Sequence, residues 1–189
     1  MKKLTLILFG FMALTFISCE IEGIEETALK NQNSPANIEH SVDLENLSEA
    51  CLTVNLIAGQ HHVAGNVTVY KDGENLIIVY STNEDWTIDL THLSIGNCDE
   101  DWVPLTGSGN PKIGHFEYNE PYSVSDHEVV YIIPLADLNN NYCFAAHAEV
   151  QVPTGGETAW AEGPAFSGNS WAMYVEALLS DCEGENPAY

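Results

Sequence analysis

The chain contains no arginine and only five lysines among its 189 residues, against 28 acidic side chains and a formal net charge of −23. A field of that sign repels phosphate backbones and anionic headgroups, which argues against nucleic acid as a partner and against membrane docking through a basic patch. The marks of familiar catalysis are also missing, with no G-x-S-x-G and no H-E-x-x-H anywhere in the chain. No cysteine pair has the C-x-x-C spacing of a structural zinc site. Gly107-Ser108-Gly109-Asn110 lacks the lysine and hydroxyl residue that complete a phosphate loop. There is no internal repeat and no low-complexity tract. Apolar residues make up 45% of the chain, enough to bury a core, so the acidity has to be carried on the outside of one domain.

Met1, Lys2 and Lys3 form a positive start, and residues 4–17 supply an apolar stretch too short for a spanning helix, the pattern of a secretion signal over residues 1–18. It ends in Phe16-Ile17-Ser18-Cys19, which resembles the lipobox of bacterial lipoproteins. That resemblance implies that Cys19 is acylated and becomes the mature N-terminus, anchoring the protein to a membrane through lipid. Each buried methylene adds ~0.8 kcal/mol, so several acyl chains (palmitate-type) hold without any protein contact to the bilayer. Loss of Lys2 and Lys3 with the signal leaves three lysines against 28 acids, a net −25. Residues 19–50 are polar and acidic, with Glu20, Glu22, Glu25 and Glu26 near the start, and read as a flexible tether. Such acid-rich tracts after the lipidated cysteine resemble surface-export signals of Bacteroidota lipoproteins. The implied location is the outer membrane, facing outward, with an ordinary periplasmic linker as the alternative.

Cys51, Cys98, Cys143 and Cys182 remain, an even number in an oxidising compartment. Three pairings are open to four cysteines. The termini of a compact domain tend to lie close together, which favours Cys51 with Cys182 and Cys98 with Cys143.

Residues 51–182 read as strands throughout, and 183–189 as a tail. Val63, Val67 and Val69 keep one parity, with polar residues between. Asp72-Gly73 supplies a tight hairpin turn before the apolar run 76–80. Trp86, Ile88, Leu90 and His92 are expected on one face of the next strand. Tyr142, Phe144, Ala146, Ala148 and Val150 line one face of a long strand, and Trp171, Met173, Val175, Ala177 and Leu179 a later one, with a helix as the alternative over 171–180. With no amphipathic helix of convincing length, the expected fold is all-β, a single-domain antiparallel β-sandwich. The glycine-rich stretch 96–114 reads as a long loop, where binding residues commonly reside.

Against that scaffold, His147, Glu149 and Gln151 share the face opposite the apolar stripe, a placement suited to a metal or a hydrogen-bonded pair, with His147 and Glu149 as candidate ligand-binding residues and a satisfied structural histidine as the alternative. Trp102, in an acidic loop, and Trp160, among small residues, are the rings best placed to stack on a sugar or apolar face, and Glu162 stands close by in sequence. Asp99, Glu100 and Asp101 are weak candidates for calcium, since they do not match the D-x-[DN]-x-[DN]-G loop. No other cofactor is expected. A hydrolase would have to draw on Glu157, Glu162 or His147 brought into one cleft.

The segments 145–150 (AAHAEV) and 157–163 (ETAWAEG), with Phe166 and 171–174 (WAMY), resemble a domain that recurs in secreted proteins and lipoproteins of Bacteroidota and other bacteria. Residues 56–60 and 109–111 fit the same pattern, so the resemblance spans nearly all of 51–182. It implies an extracellular β-domain and carries over no catalytic residue. The expected function is a lipid-anchored envelope module that binds or adheres to a glycan or protein ligand without catalysis. The alternatives are a secreted hydrolase and a calcium-stabilised surface protein. In a bacterial host treated with globomycin, which blocks the lipoprotein signal peptidase, the chain is expected to accumulate with residues 1–18 still attached. Normal removal of those residues under the drug would show that Cys19 is not a lipidation site.

Overall fold

The computed structural model describes residue 47 and residues 49–182; the signal, Cys19, most of the tether and the 183–189 tail lie outside the described residues. Nine strands follow in order: β1 Leu52–Ala58, β2 His62–Asp72, β3 Asn75–Thr82, β4 Thr87–Asn97, β5 Tyr118–Asp126, β6 Glu128–Pro134, β7 Asn141–Val152, β8 Gly155–Ala161 and β9 Val175–Leu178. Short 3-10 turns at Ile113–His115, Leu135–Asp137 and Leu179–Cys182 are the helical elements among the described residues. The all-β, antiparallel expectation holds. Its two layers belong to one continuous sheet of order β5-β4-β7-β8-β1-β2-β3-β6, because β1 pairs with both β2 and β8 and so joins them.

The sheet curls into a nearly closed barrel. Its two outermost strands, β5 and β6, approach each other at Tyr118 and Tyr131, whose ring centroids are 6.0 Å apart. Two buried polar contacts cross the interior beside them. The Tyr80 hydroxyl donates to the His92 carbonyl at 3.0 Å, and the Thr91 and Tyr131 hydroxyls are bonded at 2.6 Å. Inside lies the main core, with Leu56, Val67, Val69, Leu76, Ile78, Tyr80, Leu93, Phe144 and Val150 fully buried. The wall made by β1, β8 and β7 carries Ala58, Ala159, Ala161, Ala146 and Ala148, small residues that leave room for the tyrosines of β3 and β6.

Gly73, at φ +57, begins the two-residue link between β2 and β3 where the Asp-Gly pair predicts a hairpin. The face expected for β4 is corrected by a bulge. The register shifts between Ile88 and Leu90, so Asp89 is the extra residue. An inserted residue reverses the inside-outside phase. Ile88 therefore points inward, as do Thr91, Leu93 and Ile95, while His92 faces outward opposite His147. The stripe expected over 171–179 is likewise divided. Val175, Ala177 and Leu179 join the inner core, whereas Trp171 and Met173 precede β9 and pack on the outside of the barrel.

Disulfides join Cys51 to Cys182 and Cys98 to Cys143, the favoured pairing. The first ties the start of β1 to the last turn across a separation of 131 residues, the second the end of β4 to β7 across 45. Loop-closure entropy alone would give about 5 and about 4 kcal/mol for links of these spans, and measured values are commonly about 2–4 kcal/mol. Replacing Cys51 and Cys182 together by serine is expected to cost about 2–4 kcal/mol in denaturant unfolding. An unchanged unfolding midpoint would show that this link does not restrain the unfolded chain.

Candidate ligand grooves

The outer face of the barrel is covered over β7 and β8 by chain that leaves the sheet. Two excursions of the chain do this. Residues 98–117 leave the end of β4 and return as β5. Residues 162–174 leave β8, which pairs with 147–152 of β7, and return as β9, which pairs with 141–144 on the same edge. Both excursions arch over the sheet and build a second apolar cluster of Phe116, Ala145, Trp160, Phe166 and Ala172, with Trp102, Trp171, Met173 and Tyr174 against it.

Specific contacts hold these straps down. The Ser94 hydroxyl, outward on β4, donates to the Trp102 carbonyl at 2.9 Å. A Cβ at Gly96 would stand 2.8 Å from the Trp102 Cβ, so the first strap can lie this close only over glycine. The second strap is tied to the first where the Ser170 N–H donates to the Asn110 side-chain oxygen at 2.9 Å.

Beneath the straps, one rung of cross-strand neighbours runs His92, His147, Trp160, Ile57 over β4, β7, β8 and β1. The Nδ1 atoms of His92 and His147 are 3.2 Å apart, one donating and the other accepting, which requires the accepting ring to be neutral. His147 also lies against Trp160, with ring centroids at 4.8 Å. At 3% exposure its charged form has almost no solvation, and burial, aided by His92, pushes its pKa down to about 3. His92 is lowered by burial too, with Glu149 opposing.

Three recesses open around the straps. The first, of about 360 Å³, lies beside the Cys98–Cys143 disulfide and is lined by Trp102, Phe166, Tyr174, Leu105 and Glu176. Its three rings touch one another, with centroids 6.2 Å apart for Trp102 and Phe166, 5.9 Å for Trp102 and Tyr174, and 5.0 Å for Phe166 and Tyr174. The Tyr174 hydroxyl donates to a Glu176 carboxylate oxygen at 3.2 Å. The second, also about 360 Å³, is lined by Trp171, Met173 and Ile57, with Gln60, His61 and Glu162 around them. Gln60 holds φ +70 in the turn from β1 to β2, and the Asn55 amide donates to Glu162 at 2.6 Å. The third, about 350 Å³, sits at the barrel mouth with Glu100, Asp101, Glu117 and Asp137 around Tyr118. Burial raises the Glu117 pKa there, and raises that of Tyr118 together with the charges of Glu117 and Asp137.

The residues singled out in the sequence are thus distributed over this face. Trp102 is half-buried at the first groove and Glu162 is exposed at the second. Trp160, only 3% exposed, is covered by Phe116 and offers no open ring. His147 is paired beneath it, and Glu149 is exposed further along the same face. Glu100 and Asp101 line the acidic recess, but among the described residues no three His, Cys, Asp or Glu side chains are grouped to hold a metal ion. Phe166, Tyr174, Leu105, Trp171 and Met173 were not picked out as site residues. Leu105 lies in the glycine-rich stretch 96–114, and Trp171 and Met173 read as strand residues continuing the parity of Val175, so the sequence signal of these positions points to a loop and to a core. In comparisons with known proteins, no family model, no curated protein and no solved structure matches the chain.

The buried histidines set a pH dependence. An unfolded chain protonates His147 near pH 6.5, whereas the folded one resists until about pH 3. The unfolded state therefore binds the extra proton between those values, and stability present above pH 6.5 falls as the pH drops through that window, by up to about 1.4 kcal/mol per pH unit. Glu117 works in the opposite sense, so the contribution is isolated by comparison with His147→Gln. That variant is expected to flatten the fall of unfolding free energy between pH 6.5 and 4, and an identical slope in both proteins would show that the pair is not linked to folding.

Proposed function

We propose that the protein is a lipid-anchored binding module of the cell envelope, carried outward by its acidic tether, and that its ligand seats in the groove of Trp102, Phe166 and Tyr174. The observation that carries this reading is the pair of half-buried rings Trp102 and Tyr174, both backed by the buried Phe166, at a groove beside Leu105 at 41% exposure. Clustered rings held by a rigid sheet supply apolar contact at low entropic cost. The anchor and the outer-membrane location rest on the signal sequence and Cys19.

Geometry lends the hydrolase reading no comparable support. Glu157 and Glu162 have opposite parity on β8 and its extension, five residues apart. Their backbone positions stand on opposite faces about 17 Å apart along the strand direction, which does not direct both carboxylates into one cleft. His147 has its Nδ1 engaged and almost no exposure.

The test is binding of the purified exported protein to immobilised envelope and matrix polymers, polysaccharides and unfolded proteins alike. Trp102→Ala and Leu105→Asp are each expected to weaken capture at least tenfold. Leu105 is exposed, so its substitution leaves the melting temperature nearly unchanged and separates a lost site from a lost fold. Undiminished capture by both variants would place the ligand elsewhere, and release of soluble fragments from the polymers would overturn the non-catalytic reading.

A further inference from the structure

The first two grooves adjoin. Ala165, exposed on the second strap, lines both, and its bridge to Met173 forms the saddle between them. We propose that they are successive subsites of one track, and that the track takes an extended neutral glycan lying across the outer face of the barrel over Ala165. This rests on the binding-module reading and names its ligand class.

Four observations lead to it. First, partly exposed rings stand at both ends, Trp102 and Tyr174 over the buried Phe166 on one side of the saddle and Trp171 on the other, and pyranose faces stack on such rings. Second, hydroxyl-binding groups flank the rings at each end, Ser167 and Glu176 at the first groove, Gln60, His61 and Glu162 at the second. Third, of the exposed large hydrophobic residues among those described, Val63, Leu105 and Leu178, one lines a groove and the other two neighbour groove residues. Leu105 lines the first groove. Leu178 shares the outer face of β9 with Glu176, and Val63 is the cross-strand partner of Ile57 at the far end. Fourth, the track is long. Cys143 borders the first groove, and Ile57 of the second is on the His147 rung, four residues along β7 and two strands across, a diagonal of about 17 Å. That exceeds a disaccharide.

The charge and the direction of the track select among polymers. A formal −23 repels anionic polysaccharides. The track crosses strands beneath loop side chains and does not follow a sheet edge, so it presents no row of free backbone groups to an extended peptide. A neutral sugar chain needs neither. Its hydroxyls donate to the carboxylates of Glu162 and Glu176 and exchange hydrogen bonds with Gln60 and His61.

The experiment is calorimetric titration of the full exported protein with cello-, laminari-, malto- and manno-oligosaccharides of two to six units, with hexagalacturonate and an apolar unstructured peptide alongside. In at least one neutral series the hexamer is expected to bind at least tenfold tighter than the dimer. Trp171→Ala, in the second groove only, is expected to remove that advantage while leaving dimer affinity within twofold, and Ala165→Arg, which raises the saddle, is expected to remove the advantage as well. Trp102→Ala is expected to lose the dimer as well. Equal affinity for dimer and hexamer, or a hexamer advantage that survives both Ala165→Arg and Trp171→Ala, overturns the continuous track and leaves the single-groove module standing. Binding of hexagalacturonate or the peptide in place of every neutral series overturns the ligand class. Absence of any binding here, with Trp102-dependent capture still seen on the immobilised polymers, also overturns the ligand class, whereas absence in both assays overturns the module itself.

Discussion

Seven consecutive residues of β7, from Tyr142 to Ala148, are buried, and the rest of the molecule is arranged around that constraint. A strand with one solvated face alternates, whereas a strand buried on both sides must be covered twice. Inside, Tyr142, Phe144, Ala146 and Ala148 belong to the barrel core. Outside, Cys143, Ala145 and His147 have no second sheet to meet them, so their cover comes from chain that leaves the sheet and returns. The Cys98–Cys143 link fastens one strap to the strand it covers, and the departure of β8 followed by the arrival of β9 on the same edge of β7 directs the other. The grooves are the seams between the two straps and the sheet.

The buried histidine pair follows from the same arrangement. Two polar rings under an apolar cover cost free energy unless each satisfies the other. His92 and His147 do so because the bulge at Asp89 shifts the phase of β4 and places both on the outer face. Without the bulge, His92 would point into the barrel and Leu93 toward the straps. One inserted residue thus decides which side chains fill the interior and which support the grooves.

The sequence made much of the fold legible for reasons that are local or nearly so. Period-two alternation in β7 and in β2 beyond Gly65 is a property of each strand alone, the Asp72-Gly73 turn is a property of two residues, and the Cys51–Cys182 link follows from the general closeness of domain ends. A register shift between Leu56 and Ile57, by contrast, turns Val63 outward, away from the face of Val67 and Val69. The bulge was not legible, because nothing in Thr87-Ile88-Asp89-Leu90 distinguishes an inserted residue from an ordinary outward one. The division of 171–179 was hidden for a related reason. Trp171 and Met173 continue the parity of Val175 and Ala177, yet the chain joins the sheet only at Val175, and the same alternation serves two different cores. Trp102 was legible as a ring in a loop and Trp160 as a ring among small residues, but exposure is set by what lies above. Phe116, on the same strap as Trp102, covers Trp160 and leaves Trp102 half-buried at the groove. The meeting of Trp102 with Phe166 and Tyr174 depends on two excursions crossing in space, information carried by no single window of the chain.

The groove-lining groups are restrained before any ligand arrives, and that restraint decides how contact area converts to affinity. Glu162 is held by the Asn55 amide and Glu176 by the Tyr174 hydroxyl, so each carboxylate has one oxygen oriented and the other free. Trp102 is fixed through its backbone to Ser94, and the two straps to each other through Asn110. Side chains immobilised on binding each cost roughly 0.5–1.5 kcal/mol, a cost these contacts have largely met during folding. In a surface this acidic, loosely held carboxylates would stay solvated and repel one another. Each of these two is instead tied to a neutral donor beside a ring, an arrangement in which a ligand hydroxyl replaces water at little electrostatic penalty. The excess of acid in the chain is therefore compatible with recognition where the carboxylates serve as oriented acceptors, and that favours a ligand rich in donors and poor in charge.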